Sequence, residues 1–156
     1  MDIYNQKYPW RRFKSNMSIP PDGLSDEDVI EIYRNSRRIA VIGMSRNPEK
    51  PANYVPMFLK EKGYEIIPVN PVAEEIMGMK AYKRLEDIPG EIDVVDVFRP
   101  SEEVPDIVKS VLEKGAKVLW LQEGIYHPDA EKARMKGLKV VWNRCMMREY
   151  KRLFSD

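Results

Sequence analysis

Five short apolar runs, spaced regularly along the chain, constrain its fold more than any other feature of the sequence. They begin near residues 39, 65, 92, 117 and 138, and a helix or a short connector fits between each pair. The runs VVDVF and VLWL are apolar almost throughout, which is typical of strands buried on both faces of a sheet. The spacing is that of repeated βαβ units, so it predicts an α/β fold in which helices cover both faces of a parallel sheet.

Helix-capping and helix-breaking residues mark the helices between the predicted strands. Ser25 and the three acidic residues that follow it form a start signal for a helix over about 25–36. Pro51 suits the first turn of a helix over about 51–62, whereas Pro56 predicts a kink or a later start. The remaining helices are expected over about 101–114, 128–136 and 146–154.

Right-handed crossover connections leave few possible orders for five parallel strands. We expect the order 3-2-1-4-5 in a sheet of five or more strands, with the irregular segment near 80–83 lengthening one edge. At 156 residues the chain suits one domain, which we place at 25–156. An N-terminal arm over 1–24 precedes it and carries aromatic residues, namely Tyr4, Tyr8, Trp10 and Phe13.

The charge balance excludes several classes of function. The chain has 26 basic and 25 acidic residues and a net charge of +1, which gives no general attraction for duplex nucleic acid or an anionic membrane. No apolar run approaches the ~20 residues that span a bilayer. The single cysteine, Cys145, cannot form an internal disulfide, so a cytoplasmic location is expected. Any anion site on this chain must therefore be local.

The carboxyl ends of the predicted strands carry the residues that fit a ligand. In an open α/β sheet, ligands bind beyond these ends where the winding direction reverses, which is between strands 1 and 4 for the expected order. Four loops would meet there. They contribute Gly43, Met44, Ser45, Arg46, Asn47 and Lys50 after strand 1, Asn70 and Pro71 after strand 2, Phe98 and Arg99 after strand 3, and Gln122, Glu123 and Gly124 after strand 4.

The loop after strand 1 has the chemistry of a phosphate site. Gly43 lets a phosphate approach the backbone closely, Ser45 offers a hydroxyl, and Arg46 offers a planar charged group suited to phosphate oxygens. Amides at the start of the next helix point to the same place. Each residue also has a structural interpretation, because glycine closes tight turns, basic side chains are commonly solvated, and Phe98 suits the core as well as an adenine ring.

Other nucleotide and reaction chemistries lack their residues. NAD-binding domains end strand 2 with an acidic residue and carry two further glycines after the first, whereas this chain has Asn70, Ser45 and Pro48 at those positions. No Walker loop, G-x-S-x-G elbow or paired metal-ligand spacing occurs. His127 stands at a predicted helix start and Cys145 has no histidine base near it in sequence. We therefore predict no catalytic residue and no metal site.

Five segments, taken together, resemble the stand-alone CoA-binding proteins, relatives of the CoA-binding domain at the N-terminus of the succinyl-CoA synthetase α subunit. They lie at 39–71, 78–89, 92–108, 116–130 and 138–150 and include IAVIGMSRNPEKPANY, IDVVDVFRPSEEV and AKVLWLQEGIYHP. The resemblance implies a three-layer Rossmann-like fold that binds coenzyme A through its nucleotide part. The residues from Gly43 to Asn47 would face phosphates, and the other three loops would line the rest of the groove.

A neutral Asn70 fits this ligand because coenzyme A carries a phosphate on its ribose, which a carboxylate at that position would repel. The synthetase's phosphohistidine lies in a further domain, and His127 stands in no matching motif, so the ligase activity is not implied. We expect a binding module for coenzyme A or an acyl-CoA without evident catalytic machinery. The alternatives are a CoA- or nucleotide-using enzyme or subunit that acts with a partner, and an interaction unit whose aromatic arm docks on a partner or a second copy.

Overall fold

The apolar runs form the strands of one parallel sheet within residues 18–154, the part of the chain that the computed structural model describes. Its five strands are β1 (Arg38–Ile42), β2 (Glu65–Val69), β5 (Val94–Val97), β6 (Val118–Leu121) and β7 (Lys139–Val141). A separate antiparallel pair is formed by β3 (Glu75–Ile76) and β4 (Met79–Lys80).

Helices connect the strands and cover both faces of the sheet. They are α1 (Asp26–Asn35), α2 (Pro51–Glu61), α3 (Val104–Lys114), α4 (Pro128–Met135) and α5 (Met146–Phe154), with 3₁₀ turns at Leu85–Asp87 and Ser101–Glu103. Helices α1 and α2 contact α5, whereas α3 contacts α4, and the central strands are buried throughout. The predicted α/β class with a five-stranded parallel sheet is therefore confirmed. None of the helices within residues 18–154 is long and apolar enough to cross a membrane.

The strand order corrects one part of the sequence prediction. The sheet runs β2-β1-β5-β6-β7, which is 2-1-3-4-5 when only its own five strands are counted along the chain. The third of these strands, β5, pairs with β1 and not with β2, with Ile42 opposite Val97. The winding direction consequently reverses beside β1 as expected, but the strand on the other side of the reversal is β5 and not β6.

The outer edge of β2 is occupied, which explains this order. Tyr82 forms a parallel bridge with Val69. The Tyr82 amide donates to the Pro68 carbonyl at 2.9 Å, and the Tyr82 carbonyl accepts from the Asn70 amide at 2.8 Å. The segment near 80–83 thus lengthens the sheet at this edge, as the sequence predicts, and the next long strand pairs on the free side of β1.

Helix α1 shows how local sequence fixes an element in place. The Ser25 hydroxyl accepts from the Asp28 amide at 3.1 Å, and the Asp28 carboxylate accepts from the Ser25 amide at 2.9 Å, so the predicted capping box forms. Further along the helix, the Tyr33 ring lies 5.5 Å from the Trp120 ring of β6 and 5.5 Å from the Tyr150 ring of α5. These contacts fasten α1 and α5 to the same face of the sheet.

Asp96 is an exception within the core. It lies on β5 opposite Val41 of β1 and Trp120 of β6 and is fully buried. Among the side chains that the structure describes, its two carboxylate oxygens are the buried ones without a hydrogen-bond partner. Burial raises the pKa of Asp96 well above its usual range, because the charged form would have to be stabilised in an apolar interior.

Residues 18–24, which belong to the predicted arm, lie against the carboxyl end of β7. The Asp22 carboxylate is buried and binds the Arg144 guanidinium at 2.7 and 2.9 Å. The Pro20 carbonyl accepts from the Trp142 indole at 2.7 Å. The aromatic residues of the arm, Tyr4, Tyr8, Trp10 and Phe13, lie outside the described residues.

Candidate functional site

A cleft of about 470 Å³ opens beyond the carboxyl ends of β1, β2 and β5, and we call it the basic cleft. Eight residues that the sequence predicts for the site line it: Gly43, Met44, Ser45, Lys50, Asn70, Pro71, Phe98 and Arg99. Five further predicted residues are not among its lining residues, namely Arg46, Asn47, Gln122, Glu123 and Gly124. The corrected strand order explains the last three, because the loop after β6 lies one strand beyond the point of reversal, whereas Arg46 and Asn47 belong to the β1 loop and are exposed.

Gly43 ends β1 in a conformation that favours glycine, with φ of +88°. A Cβ at this position would lie 2.5 Å from the Phe98 carbonyl oxygen and 2.9 Å from the Arg99 Cδ. The Gly43 amide donates to the Val69 carbonyl at 3.3 Å. The absence of a side chain therefore lets β1 and the end of β5 approach closely, and the amide is already bonded to the neighbouring strand.

Ser45 is held by helix α2 through both of its backbone groups. Its amide donates to the Ala52 carbonyl at 3.1 Å, and its carbonyl accepts from the Asn53 side-chain amide at 2.7 Å. Ala52 would normally accept from the residue four positions later, but that residue is Pro56, which has no amide hydrogen. The helix begins at Pro51 and not at the later start that the sequence allows, and Pro56 lies inside it, where it leaves a carbonyl for the loop.

The backbone on either side of Ser45 remains available. The amides of Met44 and Arg46 have no hydrogen-bond partner within residues 18–154. The Ser45 hydroxyl accepts from the Asn47 amide at 3.0 Å, so its own hydrogen is free to be donated to a ligand. The side chain of Met44 is buried in the core, whereas Arg46 and Asn47 are exposed outside the cleft.

The loop after β2 is shaped by Asn70. Its side-chain carbonyl accepts from the amides of Val72 and Ala73 at 2.9 and 2.8 Å, which closes the turn after the strand. The side-chain NH₂ group is uncharged and can donate a hydrogen bond to a ligand oxygen. Pro71 is exposed at the rim.

Three cations and one carboxylate line the basic cleft: Lys50, Lys83, Arg99 and Glu103. Glu103 binds Arg99 through two guanidinium nitrogens, with Nη2 at 2.6 Å and Nε at 3.1 Å from the carboxylate. Both side chains are almost half exposed, at 46% and 44%. The lining thus carries a local positive charge on a chain whose total charge is nearly zero, which is what a site for a polyanion requires.

The loop after β6 uses its polar groups within the protein. The Gln122 side chain is buried and accepts from the Met146 amide at 3.2 Å. The Gly124 amide donates to the Asn143 side chain at 2.7 Å, and Glu123 binds Arg148 at 3.0 Å. These contacts tie the loop to the start of α5 and the turn before it.

Three residues of the site escape the sequence prediction. Lys83 stands in an irregular segment whose sequence shows no periodicity, and the bridge of the neighbouring Tyr82 to β2 brings it to the cleft. Glu103 carries a signal, since it follows Arg99 by four residues, the spacing of a helical ion pair. Asn53 is buried, and a polar residue in the apolar face of a predicted helix is a detectable sign of such a bond.

His127 and Cys145 lie outside the lining of the basic cleft. His127 begins α4, and its Nδ1 accepts from the Asp129 amide at 3.0 Å, so it acts as a helix cap. Cys145 is buried, and burial raises the pKa of its thiol, which disfavours the nucleophilic thiolate. Within residues 18–154 no group of three metal-binding side chains occurs.

Comparison with known proteins places this geometry in a family. A model of the CoA binding domain matches residues 37–151, which include every element that lines the basic cleft. The chain belongs to this CoA-binding domain family. The resemblance seen in the sequence is thereby confirmed, together with the Rossmann-like fold.

Two relatives match this chain over most of their own length. The uncharacterized protein YneT of Bacillus subtilis (strain 168) is 40% identical over 123 residues, covering 78% of this chain and 91% of YneT. A solved structure of a hypothetical protein from Pyrococcus horikoshii OT3 is 44% identical, with a TM-score of 0.83, and the match covers 89% of this chain and 99% of that one.

A third relative is much larger than this chain. The acetate–CoA ligase [ADP-forming] II subunit alpha of Pyrococcus furiosus is 40% identical over 90 residues, which cover 57% of this chain and 20% of that subunit. The family domain of this chain thus corresponds to about a fifth of the ligase subunit.

Proposed function

We propose that this protein binds coenzyme A or an acyl-CoA through its nucleotide part, with the phosphates in the basic cleft. One observation carries the proposal: Lys50, Lys83 and Arg99 converge at the reversal point of a CoA-binding family fold. The unpaired amides beside Ser45 add neutral donors at the same edge. Charge-assisted hydrogen bonds from such groups contribute about 1.5–3 kcal/mol each.

Asn70 supports coenzyme A over a dinucleotide. NAD-binding domains hold the ribose hydroxyls with an acidic residue at the end of strand 2, and Asn70 takes that place here. Its side-chain NH₂ group donates and carries no charge, so it tolerates the 3′-phosphate that distinguishes coenzyme A. The cations at the cleft favour that additional charge.

We further propose that this chain binds without catalysing a reaction by its own side chains. The single cysteine and the single histidine of the chain, Cys145 and His127, are respectively buried and engaged in a helix cap. The cytoplasmic location expected from the single cysteine remains part of this proposal. Acetyl-CoA incubated with the protein should stay intact, as measured by release of free thiol.

The alternative is a subunit that uses coenzyme A together with a partner. It is favoured by the match to the ligase alpha subunit, in which the corresponding region is about a fifth of the chain. Thiol release that disappears in His127→Ala or Cys145→Ala would support this alternative and contradict binding alone.

Calorimetric titration of the protein with coenzyme A, 3′-dephospho-CoA and NAD tests the proposal. Coenzyme A should bind most tightly, and loss of the 3′-phosphate should weaken binding about tenfold, which corresponds to about one charge-assisted hydrogen bond. Tighter binding of NAD, or no binding of coenzyme A, would overturn it. Mass spectrometry of small molecules carried by the purified protein would identify the acyl group.

A further inference from the structure

A second groove adjoins the basic cleft, and its charge is opposite. The groove has a volume of about 240 Å³ and shares Ile42, Val69 and Glu103 with the cleft. Its remaining charged lining residues are Arg84, Glu86 and Asp106. Glu103 therefore stands at the boundary between a region that attracts phosphates and a region that repels them.

Glu103 occupies the edge of Arg99 that a phosphate would use. Guanidinium groups bind carboxylates and phosphates alike through a pair of parallel N–H groups, and here the Nε–Nη2 pair of Arg99 already contacts the Glu103 carboxylate. The 3₁₀ turn Ser101–Glu103 and the start of α3 hold Glu103 in this position. The ion pair is also half exposed, so a competing anion has access to it.

We propose that Glu103 is a specificity-determining residue of the basic cleft: it masks Arg99, and a bound phosphate must displace it. This inference rests on the proposed binding of coenzyme A. A ligand with several phosphate charges displaces the carboxylate more readily than a weakly anionic ligand does. Glu103 thereby favours polyphosphorylated ligands over weaker anions and keeps their affinity below the value that three free cations would give.

The test is titration of the intact protein and of Glu103→Gln with coenzyme A at several salt concentrations. The glutamine should bind coenzyme A about two- to fivefold more tightly, the range for loss of a competing exposed ion pair. Its affinity should also fall more steeply with salt, because the cleft of this variant carries one more net positive charge. A role limited to folding would leave this salt dependence unchanged.

Two further variants make the interpretation specific. Glu102→Gln removes the same charge from the adjacent residue, which is exposed and lines neither groove, and it should change affinity little. In an Arg99→Gln background, Glu103→Gln should have no effect, because there is no guanidinium left to unmask. Equal gains for Glu102→Gln and Glu103→Gln, or a gain that persists without Arg99, would overturn the proposal.

The remaining outcomes are also decisive. Weaker binding by Glu103→Gln would mean that the carboxylate orients Arg99 productively, which contradicts masking. The wild-type titration separately decides the proposed function. If neither the wild type nor Glu103→Gln binds coenzyme A, both proposals fail, whereas binding by the wild type without a gain in Glu103→Gln overturns only the masking of Arg99.

Discussion

The loops after β1 and β6 follow similar strand ends, but only the β1 loop lines the basic cleft. Both follow buried parallel strands, both contain a glycine with positive φ, and each is held by one buried side-chain amide, Asn53 or Gln122. Asn53 reaches the β1 loop from helix α2, so the loop keeps its own donors for the cleft. Gln122 belongs to the β6 loop itself and bonds inward to Met146. The same kind of strand end can therefore leave backbone donors unbonded or have its polar groups bonded within the protein, depending on where the supporting amide comes from.

Asp96 lies on β5, between the two loops, and its replacement has the largest expected effect. Since its pKa is raised in the folded state, the folded protein holds a proton that the unfolded chain loses above about pH 4. The contribution of this proton to the free energy of unfolding is fully present below that pH and is lost as pH rises toward the folded pKa. Wild type should lose stability relative to Asp96→Asn by up to about 1.4 kcal/mol per pH unit over this window.

Denaturant unfolding from pH 4 to 8 measures this difference. Asp93 is the control, because burial raises its pKa but hydrogen bonds from the amides of Arg38 and Arg37, with Lys117, outweigh burial and lower it overall. Asp93→Asn should therefore keep its stability deficit over most of this range and lose it only at lower pH, as the pH falls through the folded pKa. Unchanged affinity of Asp96→Asn for coenzyme A would indicate that the two loops act independently. A changed affinity would indicate that they are coupled through β5.

Gly43→Ala tests the close approach of the β1 loop to β5. The new Cβ would meet the Phe98 carbonyl oxygen at 2.5 Å in a backbone with positive φ, and we expect a loss of about 3 kcal/mol in unfolding free energy. Gly115→Ala has a similar φ with nothing within 4 Å and should cost about 1 kcal/mol. Equal losses in denaturant titrations would show that the contact with Phe98 is unimportant.

Asn53→Ala and Gln122→Ala form a matched pair across the two loops. Each removes a buried amide and leaves a backbone group without its partner, so each should lower the unfolding free energy by about 2 kcal/mol. Only Asn53→Ala should weaken binding of coenzyme A, because only it releases the Ser45 backbone. Loss of affinity in Gln122→Ala at unchanged stability would return Gln122 to the list of ligand contacts.

Lys83→Gln has the smallest expected effect and concerns the cation that sequence patterns do not indicate. Its stability should remain within about 0.5 kcal/mol of the wild type because the side chain is exposed. Its affinity for coenzyme A should fall about tenfold. The control is Lys136→Gln, which removes an exposed lysine from the groove at the opposite, amino-terminal edge of the sheet. Equal losses of affinity in calorimetry would mean that only the net charge of the protein matters.

Sequence patterns predict the elements well because their signals are local. The capping box at Ser25 and the apolar runs depend on neighbours within a few residues, and both are found in the structure. The strand order depends on which edge of β2 is free, and that edge is closed by Tyr82. No periodicity marks a single bridging residue, so the sequence pattern predicts the wrong neighbour for β5.

The position of β5 beside β1 explains most of the difference between the predicted and the observed lining of the cleft. With β5 beside β1, Phe98 and Arg99 reach the cleft, whereas Gln122 and Glu123 lie one strand further away. The residue types at strand ends predict that a ligand edge exists, since they follow from local sequence. Which ends meet there is a property of the whole sheet.

Pro56 gives the edge of the cleft an unusual dynamic dependence. Because Pro56 leaves the Ala52 carbonyl free to accept from the Ser45 amide, a hydrogen bond joins the turn before the helix to the first turn of the helix. Neither turn can open without breaking this bond. Hydrogen exchange at Ser45 should accordingly follow the opening of helix α2 and not the faster fluctuations of a surface loop. A residue that usually interrupts a helix here joins the helix and the turn into one cooperative unit.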